Sequence, residues 1–156
     1  CELMPPECAD FMREGGIIFH GEAEGSQWPT VLANICNGTN GTQQSLYRGG
    51  RPDISSAPMP MYPPRYFKGF FGRVYTMDSG RGCIFACSFC TIINVQGRSM
   101  RFRAVSAIEA WIRQVCATDG RTFWFFTDDN FCRNPHWKDI LQTCKRLRAE
   151  GLEFGF

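Results

Sequence analysis

The sequence predicts an α/β protein whose strands run parallel and are joined by helices. Three observations predict it. From Arg73 onward, apolar runs of strand length alternate with apolar faces of helical period. Phe123-Trp124-Phe125-Phe126 is an unbroken apolar run, as expected of a parallel strand buried on both faces. Gly120 and Gly151 end the two helical stretches shortly before the strands that follow them. Strand, helix, strand, helix, strand implies right-handed crossovers and a parallel sheet or barrel.

Taken in order, residues 15–38 read as a first strand, loop and helix. Ile17, Ile18 and Phe19 make a short buried-strand run, and His20-Gly21-Glu22-Ala23-Glu24-Gly25 is the loop after it. Trp28, Val31, Leu32, Ile35 and Cys36 then recur at i, i+3, i+4, i+7 and i+8, one face of a helix. Ser26 is its expected N-cap, Pro29 falls in the first turn where a missing N–H costs little, and Gly38 stops it. Residues 47–72 hold five of the nine prolines and keep no periodicity, which reads as a linker or extended strap.

The second half is more regular. Val74-Tyr75-Thr76-Met77 is a candidate strand. Ser106-Ala107-Ile108-Glu109 has the spacing of a capping box, opening a helix with Ile108, Trp111, Ile112 and Val115 on one face. After the 123–126 run, Asn134 is the expected N-cap and Pro135 the first residue of a helix lined by Trp137, Ile140, Leu141, Cys144 and Leu147. Leu152–Phe156 reads as a third strand. The chain opens on Cys1 and stops inside that strand, as expected of a piece of a longer protein.

Bulk composition limits the function classes. At 156 residues with 44% hydrophobic and 21% charged residues, the chain can bury a real core. A net charge of +2 does not call for a nucleic-acid partner. No apolar run approaches the roughly 20 residues of a membrane span, and no signal peptide is visible. Nine cysteines, an odd number with three crowded into one loop, argue against a disulfide framework and for a cytoplasmic protein. Asn37-Gly38-Thr39 and Asn40-Gly41-Thr42 match the glycosylation pattern, but such tripeptides are common in turns rich in Gly and Asn.

The crowded cysteines carry the chemistry. Arg81-Gly82-Cys83 opens a run with the spacing Cys83-x3-Cys87-x2-Cys90, placed after the Val74–Met77 strand. Structural zinc is usually held by two short ligand pairs a dozen or more residues apart. Here a triplet has no matching pair, although Cys116, Cys132 or His136 could supply a fourth ligand. Three thiols suit an iron–sulfur cubane with one iron left open. An open coordination position is what separates a catalytic metal site from a closed structural one. Thr127-Asp128-Asp129-Asn130 follows the second strand of this half, so two polar clusters fall on one rim, the C-terminal ends of the strands.

Cys83-x3-Cys87-x-Phe89-Cys90 resembles the motif of the radical S-adenosylmethionine (SAM) superfamily, Cys-x3-Cys-x-aromatic-Cys. The flanks Ser79-Gly80-Arg81-Gly82 and Thr91-Ile92-Ile93, and the run Phe126–Phe131, are also similar to that family, and the resemblance covers about residues 73–156. It implies the N-terminal part of a partial (β/α) barrel. Cys83, Cys87 and Cys90 would ligate a 4Fe–4S cluster whose fourth iron takes the amino and carboxylate groups of SAM. One-electron cleavage would give methionine and a 5′-deoxyadenosyl radical that abstracts hydrogen from substrate. Phe89 would lie near the adenine. Asp128, Asp129 and Asn130 stand where the family meets the SAM amino group, with Thr-Asp-Asp in place of the usual Gly-Gly-Glu. Arg98, Arg101 and Arg103 are either a solvated basic edge or contacts for an anion. Cys116 and Cys144, at helical spacing, read as core.

Gly21-Glu22-Ala23-Glu24-Gly25 and the helix after it resemble the C-terminal end of the Rossmann-like cobalamin-binding domain that precedes many such barrels. The expected domains are then 1–46 as the remnant of that domain, 47–72 as a Pro-rich linker and 73–156 as the first part of the barrel. The cobalamin-ligating Asp-x-His-x-x-Gly is absent, His20 reads as structural, and cobalamin is left open for the full-length protein. The layout implies radical modification of a small organic substrate, with methylation at unactivated carbon as one outcome, and an electron donor such as flavodoxin or ferredoxin. Two rival readings are a methylthiotransferase acting on RNA or protein, which usually carries a further three-cysteine domain, and a zinc-stabilised binding module without catalysis.

Overall fold

The computed structural model describes residues 6–22, 24, 27–38, 46–55, 57–60 and 62–156. The chain folds as two compact units, Cys1–Pro52 with Ile84–Arg98, and Asp53–Cys83 with Ser99–Phe156. The division falls inside the stretch read as a linker, and residues 84–98 leave the unit that holds the sequence on either side of them.

The first unit contains α1 (Pro6–Arg13), β1 (Ile18–His20), α2 (Gln27–Cys36), β2 (Leu46–Arg48) and the single turn α3 (Ile92–Val95). β1 and β2 pair in parallel, from Ile18 with Leu46 to His20 with Arg48. Three residues are too few for periodicity to show, so β2 was hidden in the linker reading. Phe19 stacks on Tyr47 at 5.7 Å and meets the edge of Trp28 at 5.7 Å, geometries that add to simple area burial. Beyond the paired strands, Gly49 donates its N–H to the His20 carbonyl at 2.8 Å. A Cβ at position 49 would run into the Glu22 carbonyl, so the backbones can meet there only through glycine.

α2 has the expected bounds, but of its apolar face only Val31 is buried. Trp28, Leu32, Ile35 and Cys36 are exposed, against the sequence expectation of a covered stripe. The expected cap Ser26, the loop residues Ala23 and Gly25, and the Thr39 and Asn40–Thr42 parts of the glycosylation tripeptides lie outside the described residues.

The second unit carries β3 (Val74–Met77), β4 (Gly80–Arg81), β5 (Arg101–Phe102), α4 (Val105–Asp119), β6 (Thr122–Phe126), α5 (Trp137–Ala149) and β7 (Phe154–Gly155). β3, β6 and β7 form a parallel sheet in that order, with α4 and α5 as the connections between successive strands. This is the strand–helix alternation that the apolar pattern predicts. Tyr75, Trp111 and Trp124 form the centre of the core, Trp111 standing edge-on to Trp124 at 4.7 Å. Ile108, Ile112, Ile140, Cys144 and Leu147 close over them from the two helices. Each such aliphatic side chain contributes about 1.5–3 kcal/mol by leaving water. Phe67, in a 3-10 turn over Pro64–Phe67, also enters this core, and Tyr62 packs on Tyr75 at 5.3 Å. That part of the expected linker is therefore folded onto the unit.

Three local expectations are corrected. Ser106 does not cap α4: the helix starts at Val105 behind Ala104, which makes no side-chain cap, and Glu109 pairs with Arg113 and Arg146. Asn134 and Pro135 precede α5, whose N-cap residue is His136. Asn134 instead accepts the His136 N–H at 2.9 Å while its amide is used elsewhere. Finally, β6 is not buried on both faces. Trp124 is 1% exposed, packed under α4 and α5, whereas Phe123 and Phe125 on the other face are 47% and 59% exposed. No helix among the described residues is long and apolar enough to cross a membrane.

Candidate cofactor site at the C-terminal edge of the sheet

β3 and β6 lie side by side with Met77 opposite Phe126, so the segments leaving them start from one edge. Thr127 continues the pairing, its N–H donating to the Met77 carbonyl at 2.8 Å. Beyond this point the ladder gives way to side chains. Asp128 accepts the Ser79 N–H at 2.9 Å and the Ser79 hydroxyl at 2.6 Å, and also a hydrogen bond from the Gly80 backbone. Asn134, fully buried, donates its amide to the Ser79 Oγ at 2.9 Å and the Ser79 carbonyl at 3.3 Å. The Arg103 N–H donates to the same carbonyl at 2.9 Å. Ser79 is therefore held at its N–H, hydroxyl and carbonyl, which is what a buried polar residue requires.

The next residues form a short stem. β4 pairs antiparallel with β5, Gly80 opposite Phe102 and Arg81 opposite Arg101. Behind it Arg103, 2% exposed, grips the Asp78 carboxylate at 3.0 and 3.1 Å and donates to the carbonyls of Ile54 and Ala57 at 3.3 and 2.7 Å. Burial works to raise the Asp78 pKa, but the Arg81 and Arg103 guanidiniums together hold it below the usual carboxylate range. Burial has the upper hand at Asp128, whose pKa is raised despite its hydrogen bonds, and also at Asp129, which accepts a backbone bond from Gly82.

The cysteines leave this stem. Cys83, half-buried, follows β4 by two residues and belongs to the second unit. Cys87 is exposed and Cys90 half-buried, both in the first unit, where the Cys90 N–H donates to the Cys87 carbonyl at 3.1 Å. Phe89 between them is 87% exposed. Among the described residues no three His, Cys, Asp or Glu side chains are gathered closely enough to hold a metal ion. The donor set itself suits a thiophilic metal: Cys83, Cys87 and Cys90 are all free thiols, none drawn into a disulfide. Of the three, Cys83 directly follows the hydrogen-bonded stem.

The remaining candidates separate clearly. Asp129 is exposed and Asn130 half-buried, its carbonyl accepting the Arg133 N–H at 3.0 Å to start a 3-10 turn. Arg103 is neither a solvated edge nor open to an anion, being consumed by Asp78 and two carbonyls, while Arg98 is exposed. Cys144 is core and burial pushes its thiol up to about 11, whereas Cys132 and His136 are exposed. His20 ends β1 and is exposed there. Sequence reasoning missed Asp78 and the second role of Asn134, and took Ser79 only as part of the flank before the cysteines. The available signal was a pair of polar residues directly after a buried strand, facing another such set after its neighbour.

A protein of Synechocystis sp. named as an uncharacterized methyltransferase is 29% identical to this chain over 99 residues. That match covers 64% of the chain and 18% of the relative, so the chain corresponds to a small part of the longer protein's length. No protein-family model matches the chain. No solved structure matches it either.

Proposed function

We propose that the chain belongs to a radical SAM enzyme, with Cys83, Cys87 and Cys90 as the ligands of a 4Fe–4S cluster. The observation that carries this reading is the Ser79–Asp128–Asn134 network, which fixes the root of a three-thiol loop at the C-terminal edge of a parallel sheet. That edge is where α/β folds assemble ligand sites. The likeness to a protein named as a methyltransferase is in keeping with use of SAM. When bound, the cluster supplies one-electron reduction of SAM and an open iron for its amino and carboxylate groups.

In this reading the chain's own residues bind and orient. Cys83 is presented from a rigid stem, while Cys87 and Cys90 come from an accessible segment, so gathering the three thiols is part of metal binding. Asp129 and Asn130 stand on the same edge for the SAM amino group, and exposed Phe89 is placed in sequence to meet the adenine. An electron donor of the flavodoxin or ferredoxin type and a small organic substrate complete the reaction. Methyl transfer to that substrate is the outcome we favour.

The test is metal analysis after anaerobic reconstitution. The expected result is about four irons and about four sulfides per chain, lost in Cys87→Ala. Stoichiometric zinc without sulfide would overturn the reading in favour of a zinc-stabilised module.

A further inference from the structure

Asp128 and Asp129 are adjacent acids at the same edge, but their surroundings divide them. Asp128 accepts from the Ser79 N–H, the Ser79 hydroxyl and the Gly80 backbone, and a carboxylate has about four acceptor sites in all. Asp129 accepts from the Gly82 backbone and is exposed. Ser79 is wholly buried, and its carbonyl is held by the Arg103 N–H at 2.9 Å and by the Asn134 amide at 3.3 Å. Gly80 and Arg81 are paired with Phe102 and Arg101. From Ser79 to Gly82, each residue before Cys83 is tied down by a partner in the 101–103 or 128–134 segments.

We propose that Asp128 is a positioning residue for Cys83, setting the direction in which the loop leaves the sheet, and is not itself a contact of SAM. The proposal rests on the iron–sulfur reading above. A carboxylate that binds an ammonium group must turn acceptor capacity toward it, and the capacity of Asp128 is already turned inward to Ser79 and Gly80. Asn134 supports the same role, since its amide orients the Ser79 hydroxyl toward Asp128 by occupying the acceptor side of that oxygen. Residues that orient metal ligands in this way commonly change metal affinity on the order of tenfold when removed.

The test uses the full-length protein with three variants, Asp128→Ala, Asp128→Asn and Ser79→Ala. Hydrogen–deuterium exchange of the metal-free protein is read at the Ser79 and Gly80 amides, iron retention under a chelator after reconstitution, and SAM affinity by calorimetry. Asp128→Ala should speed exchange at both amides and weaken iron retention on the order of tenfold. Asp128→Asn keeps an acceptor oxygen for the Ser79 N–H and should restore both, with SAM affinity unchanged. Slow exchange in Asp128→Ala, or lost SAM affinity in Asp128→Asn with normal iron retention, would overturn the proposal. Should Asp128→Ala not fold, Ser79→Ala removes the hydroxyl bond to Asp128 and leaves the two backbone bonds, so a smaller loss of iron retention in the same direction is expected, and unchanged iron retention would overturn the proposal. A wild-type protein that takes up no iron defeats the radical SAM reading alone, and the exchange arm still decides whether Asp128 fixes the root.

Discussion

Arg103 and Asp78 form an ion pair under the cysteine stem, with the Arg103 Nη2 3.0 Å from the Asp78 Oδ1. The guanidinium is almost wholly buried and spends its remaining donors on the Ile54 and Ala57 carbonyls. One side chain thereby ties the end of β3, the start of the second unit and the stem of the loop together.

Removing Arg103 should be costly. Breaking a buried pair by deleting one partner costs about 3–5 kcal/mol, because the other charge is left uncompensated. Arg81 also pairs with Asp78, so Arg103→Met is expected at the lower end of that range, about 3 kcal/mol. Urea unfolding measures it. A loss below about 1 kcal/mol, the value of an exposed pair, would show that the pair is not buried in solution.

The same carboxylate sets an acid limit. Asp78 is held below its ordinary value of 3.8, so it contributes stability above that pH, and the contribution is lost as pH falls through the depressed folded value. Asp128 and Asp129 have raised values and act in the opposite sense, stabilising once protonated and costing stability as pH climbs through the raised values. Unfolding curves from neutral pH downward should therefore fall less steeply below pH 3.8 in Asp78→Asn than in the wild type. Identical slopes would remove Asp78 from the account.

Thiol labelling should sort the cysteines. Exposed Cys36, Cys87 and Cys132 are expected to react with iodoacetamide in the folded protein, half-buried Cys83 and Cys90 more slowly, and Cys144 only on unfolding. Burial pushes the Cys144 thiol up to about 11, so little thiolate exists at neutral pH. Mass spectrometry after a short pulse reads each site, and early labelling of Cys144 would contradict its place in the core.

Gly49→Ala tests the first unit independently. Its Cβ would collide with the Glu22 carbonyl, a backbone atom that cannot swing away. The β1–β2 pairing should loosen, with a destabilisation of about 1–3 kcal/mol, the range for overpacking. Faster exchange of the position-49 amide, which donates to the His20 carbonyl in the wild type, is the direct sign, and an unperturbed spectrum would refute the close approach.

The apolar periodicity of α4 and α5 was strong enough to read, and so was the parallel alternation, because each depends on many residues agreeing. The caps were not. Ser106 has the right spacing for a box, yet Glu109 finds two arginines, one of them on α5, and a partner distant in sequence outweighs a local one. β6 deceived in another way: four consecutive apolar residues do not say which of them will be covered. At the candidate site the thiols and the acid pair were legible as residue types. Their division of labour was not, since whether Asp128 looks outward or inward depends on Ser79, 49 positions away in the chain.

The open side of the sheet has a consequence for handling the protein. Val74, Phe123 and Phe125 stand exposed on neighbouring strands as one apolar surface, with Phe71 fully exposed beside β3. A net charge of +2 and an isoelectric point near 8.1 give little repulsion between molecules in ordinary buffers. Colloidal stability is then governed by salt type more than by pH: sulfate, which strengthens apolar burial, should drive this 156-residue chain out of solution early.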